Sequence, residues 1–184
     1  MRANSLALRL FLWAAVTTLA IILVTGIVLS SLYRQAVERL RALPNVTACS
    51  VIHPSCQIGS DVRVGVGSCL APGVIVTTSA SIGNHCIVNV KVSISHDSVI
   101  EDFVNLNPGV TIAGNVRIGQ GAYIGAGARI REGCTIGAGA LVGMGSVVLR
   151  DVPPGEVWCG QPARRLRAGR PSMASAVAGR GAKR

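Results

Sequence analysis

One stretch departs from a chain otherwise dominated by Gly, Ser, Val and Thr: Lys91 to Gly114, KVSISHDSVIEDFVNLNPGVTIAG. It sets His96 beside Asp97 and adds Glu101, Asp102, Asn105 and Asn107. An imidazole titrating near neutrality can take a proton from a hydroxyl or an amine. A carboxylate beside it can fix its tautomer and stabilise the imidazolium. Sequence neighbours in an extended segment do not automatically hydrogen-bond, so Asp97 as orienting partner depends on the local turn. Alone, the dipeptide is more often an ordinary surface histidine. The other histidines are His53, beside Pro54, and His85. His53 reads as structural and His85 as a corner residue, and the spacings do not support a three-histidine zinc site. The six cysteines form no CxxC pair, nothing beside Cys69 marks an activated nucleophile, and no metal is expected.

The elements that must position these groups are legible in a period. From Ile52 to Val148 an aliphatic returns every six residues, seventeen times without a break. A small or β-branched residue stands two places before each, Cys56, Cys86 and Cys134 among them. Neither a helix, with period 3.6, nor an alternating strand, with period 2, gives a strict six. A parallel β-helix of hexapeptide repeats does. His96 follows the inward Ile94 by two and is expected outward or at a corner, on a different flank from His85. Gly59, Gly83, Asn89, Gly119 and Gly125, each directly after an aliphatic, are expected at corners with unusual backbone angles. The interior takes one aliphatic per side, which fits a low aromatic content of 3%.

The net charge of +10 sits at the ends. Residues 44–160 carry six basic and seven acidic side chains, so this body is not expected to grip nucleic acid specifically. Ahead of it, Leu10 to Leu32 is an uncharged apolar run long enough to cross a bilayer. It is expected to be a single-pass membrane anchor, with the arginines after it leaning the body toward the cytoplasm. Tyr33 to Leu43 continues as a short amphipathic helix, a stalk or a membrane-surface segment, ended by Pro44 and Asn45. The expected organisation is anchor and stalk over residues 1–43, β-helix with its exit segment over 44–167, and a basic, disordered tail over 168–184.

Several motifs together carry a resemblance: Ile52-His53-Pro54-Ser55, Ser95-His96-Asp97, Val99 to Phe103, Asn107-Pro108-Gly109-Val110, Ala113-Gly114-Asn115-Val116 and the exit Gly160-Gln161-Pro162-Ala163-Arg164. Over about residues 50 to 167 the chain resembles the left-handed β-helix acyltransferases of the NeuD/PglD-like sugar O- and N-acetyltransferase family. The resemblance implies an all-β, left-handed parallel β-helix after an N-terminal hydrophobic helix. It also implies a homotrimer that uses acetyl-coenzyme A to acetylate a hydroxyl or amino group of a sugar or nucleotide sugar. By it His96 is the general base, Asp97 its acidic partner, and the Gly114 N–H the donor to the thioester oxygen. Gly125, Ala126, Gly143 and Met144 would flank the pantetheine arm, and Arg164 or Arg165 would meet phosphate. Asn105 stands where many relatives place a second histidine, and it cannot carry a proton. Where relatives carry an α/β domain before the β-helix, a hydrophobic segment is expected here instead. Those two departures favour the rival reading, an inactive β-helix acting as a structural module at the membrane. A serine or other small-molecule acetyltransferase is a further alternative.

Overall fold

The computed structural model describes residues 28, 31–43 and 46–167. Each inward aliphatic ends a two-residue strand, and seventeen such strands follow one another from Val51–Ile52 to Val147–Val148. Each of the first fourteen pairs in parallel with the strand three places on, as Ile52 with Leu70 and Leu106 with Ile124. The chain therefore climbs one coil per three hexads and builds a left-handed triangular prism. Outward positions of face A include Cys69, Ile87, Asn105 and Tyr123. Those of face B include Ile75, Ser93, Thr111 and Arg129. Face C shows Ser81, Val99, Arg117 and Thr135.

No coil can bury its aliphatics alone, and stacking is what removes them from water. Val76, Ile94, Ile112, Ile130 and Val148 form one such column, each no more than 2% exposed. Among the described residues the first coil has no neighbour beneath it, and Ile52 and Ile58 are 43% and 40% exposed. At the other end the chain forms an antiparallel hairpin, Val157–Gly160 with Ala163–Arg167, which adds to face A. It places Trp158 in the core, and the Arg150 guanidinium lies 5.1 Å above the indole.

The corners correct one expectation. The residues with positive φ come three places after the inward aliphatic: Asp61, Ser79, His85, Lys91, Asp97, Phe103 and Asn115, with glycines elsewhere. The glycines immediately after the aliphatics have another cause. A Cβ at Gly119 or Gly125 would come within 2.5 Å of a backbone nitrogen in the next coil. They are there to let coils approach, not to supply left-handed angles.

The N-terminal expectation is corrected as well. Among the described residues no helix is long and apolar enough to cross a membrane. The run Leu10–Leu32 lies almost wholly outside those residues. The helix that is described, α1, spans residues 31–41 and carries Arg34, Glu38, Arg39 and Arg41. It packs on the prism: Val37 is buried and the Arg34 guanidinium lies 5.3 Å from the Phe103 ring centroid. The transmembrane helix, the membrane association and the single-pass location with a cytoplasmic body are therefore not supported. The expected tail, 168–184, lies outside the described residues.

Candidate active site

His96 and Asp97 occupy the turn between faces B and C. Two backbone bonds fix it, one to each adjoining coil: Asp97 N–H donates to Thr78 O at 3.3 Å, and Asn115 N–H donates to His96 O at 2.8 Å. The left-handed φ of 57° at Asp97 folds its side chain back toward the histidine. The result is a bond of 2.9 Å between His96 Nδ1 and Asp97 Oδ2. A carboxylate only accepts, so Nδ1 is the donor, and in the neutral imidazole this tautomer leaves the Nε2 lone pair free. The pair is open to solvent, with side-chain exposures of 52% and 59%, and so within reach of a substrate.

The imidazole lies over Gly114, which occupies the same corner one coil on. A Cβ at Gly114 would fall 2.5 Å from both Cε1 and Nε2 of His96. Any other residue would displace the ring. Gly114 N–H donates no hydrogen bond among the described residues. A basic nitrogen and a free amide donor thus stand side by side. That arrangement suits proton removal from a nucleophile beside a carbonyl gaining negative charge. Ser98, fully buried beneath this corner, clamps it: its hydroxyl donates to Ala113 O at 3.0 Å and accepts from Val116 N–H at 3.2 Å. Sequence reasoning passed over Ser98, although a hydroxyl at the small inward position was a usable signal.

The other acidic and amide side chains of the stretch are engaged elsewhere. Glu101 pairs with Arg117 at 2.6 Å and accepts from Gln120 N–H. Asp102 accepts from the backbone and side chain of Asn84. Asn107 donates to Ile124 O at 2.8 Å. Asp97 alone is left to orient His96.

The remaining expected site residues do not gather there within one chain. Asn105 is on face A, opposite the B–C corner, and its buried Oδ1 has no partner among the described residues. Ala126 and Met144 lie at the A–B corner, across face B from His96, and Met144 is 56% exposed. Gly125 and Gly143 precede them and are already required by stacking, against Met144 N and Cys159 Cβ respectively. Arg165 is held by Glu156 at 3.1 Å, while the exposed Arg164 only donates to its neighbour's carbonyl, Ala163 O. Among the described residues no three His, Cys, Asp or Glu side chains converge as metal ligands.

The family model of the bacterial transferase hexapeptide (six repeats) matches residues 115–150. The fold recurs in solved structures. WeeI from Acinetobacter baumannii is 37% identical, with a TM-score of 0.72 over 74% of this chain and 66% of its own. PerB from Caulobacter crescentus, solved with CoA and GDP-perosamine, is 34% identical, with a TM-score of 0.70 over 73% and 65%. The acetyltransferase domain of PglB from Neisseria gonorrhoeae is 32% identical, with a TM-score of 0.72 over 74% and 66%. Over about three quarters of its length the chain is similar to hexapeptide-repeat, left-handed β-helix acetyltransferases. It spans just under two thirds of the length of each of these relatives. No curated protein matches it.

Proposed function

We propose that the chain is an acetyl-coenzyme A-dependent acetyltransferase acting on a hydroxyl or amino group of a sugar or nucleotide sugar. The observation that carries this is the corner where His96 Nε2 faces Gly114, its tautomer set by Asp97. Its likeness to PerB, solved with CoA and GDP-perosamine, favours a nucleotide-linked amino sugar as acceptor. The working unit is the prism with its exit hairpin, residues 44–167.

In this reading His96 Nε2 takes the proton from the acceptor as its nitrogen or oxygen attacks the thioester carbonyl carbon. The Gly114 N–H donates to the carbonyl oxygen as charge builds there. The carbon–sulfur bond then breaks, and His96 returns the proton to the departing thiolate. No covalent enzyme intermediate forms. Asp97 holds the ring and steadies its charged form. The A–B corner, with Ala126 and Met144, lies too far around the prism to serve the same His96. It would serve a site shared with an adjoining copy, flanking the pantetheine arm there. Arg164, which has no carboxylate partner among the described residues, is the better candidate for a phosphate contact than Arg165.

Coenzyme A release from acetyl-coenzyme A, measured over a panel of free sugars, sugar nucleotides and amino-sugar nucleotides, tests the reading. Turnover confined to one acceptor class is expected. Tight binding of acetyl-coenzyme A with no turnover on any acceptor would count against a sugar acceptor, and absence of binding would favour the structural-module alternative.

A further inference from the structure

The second corner histidine has no part in this chemistry. His85 sits at the C–A corner and is 4% exposed, with Nε2 buried and without a partner among the described residues. It lies against Gly67 of the coil below, where a Cβ would run into the ring. The Phe103 ring covers it from the coil above, at 5.2 Å and 15° between planes. Over Phe103 comes α1, through Arg34. Imidazole, phenyl ring and guanidinium thus link the core of a corner to the N-terminal helix.

We infer that this stack is a clasp released by protons: α1 is docked while His85 is neutral and is let go when His85 becomes charged. The groups facing His85 determine the sign. From α1 come Arg41 and, above Phe103, Arg34, whose charge Glu38 partly offsets at 3.2 Å. From α1 also comes Tyr33, a phenol raised by burial and then by Cys86 and Cys69. From the prism comes Asp102, already engaged with Asn84, and the Cys86 thiol, pushed up to about 11 chiefly by burial. Burial first, and Arg41 second, hold the imidazole below its usual value, and Asp102 opposes them less strongly. A proton on His85 would put a desolvated cation among two arginines of α1. The cheapest relief is for α1 to leave, because the prism is held by its own ladder of hydrogen bonds and α1 is not. The docked form binds the proton more weakly than the undocked form. Docking is therefore unaffected above the ordinary imidazole value of about 6.5 and weakens as pH falls below it.

Hydrogen exchange on the full chain tests this, with protection factors for α1 and for the prism compared at about pH 7.5 and about pH 5.5. In the wild type, α1 should lose protection several-fold at the lower pH while the prism keeps its own. His85→Phe, which preserves the stack but cannot titrate, should hold α1 equally at both. Arg41→Gln narrows the gap between docked and undocked imidazole, so its acid-induced loss should be smaller than in wild type. The last comparison stands even if His85→Phe does not fold. Equal α1 protection at both pH values in the wild type, an undiminished loss in His85→Phe, or one in Arg41→Gln as large as in wild type would overturn the clasp.

Discussion

Two corners of one prism carry a histidine against a glycine, and they use the pairing in opposite ways. At the B–C corner His96 stands in solvent, bonded through Nδ1 to Asp97, and the glycine it covers offers a free amide. At the C–A corner His85 is buried, has an unpartnered Nε2 and is roofed by Phe103 and α1. The residue types are the same and the distances to glycine similar. What differs is the covering. An open corner leaves the lone pair for a substrate, and a closed one turns the ring into packing.

The comparison can be broken by four substitutions. His96→Ala should give the largest effect, a fall in kcat/KM of about 10²–10⁴, the usual worth of a general base. Thermal unfolding should be unchanged, because an exposed corner side chain adds little to the core. Gly114→Ala comes next. The exposed His96 ring can swing away, so the fold should survive, but the base is misplaced and activity should drop about 10²-fold. Gly67→Ala makes the matching insertion under His85, where the ring has nowhere to go and φ is +75°. It should cost about 2 kcal/mol of stability in denaturant unfolding, with activity per folded molecule retained. A Gly67→Ala protein as stable as wild type would erase the contrast. The smallest effect is expected from Ser98→Ala, which loses the clamp behind Gly114. About 1 kcal/mol in unfolding is predicted, with a modest fall in kcat and a near-constant KM for acetyl-coenzyme A.

The fold was legible because one period of six admits one architecture, and each inward aliphatic from Leu70 on is buried as its register requires. His96 and Asp97 were legible as an anomaly on a plain surface, but their hydrogen bond was not. It depends on the left-handed φ of Asp97, and hexad counting had placed that angle at the glycines after the aliphatics. The packing of α1 was beyond the sequence for a related reason. A short amphipathic helix after an apolar run reads as membrane-bound unless its partner face is known, and Phe103, three places past Ile100, does not look like a docking point. Asn105 and Met144 show where one chain stops being informative: they lie on other flanks, and no spacing within the sequence relates them to His96.

Single-turnover acetyl transfer by His96→Ala beside the wild type, at saturating acetyl-coenzyme A and a turned-over acceptor, is the most direct test of the account. Binding of acetyl-coenzyme A should be the same in both, and the transfer step slowed by at least about 10²-fold in the variant. A transfer step as fast as wild type would contradict the account, because the open corner would then hold only a surface histidine.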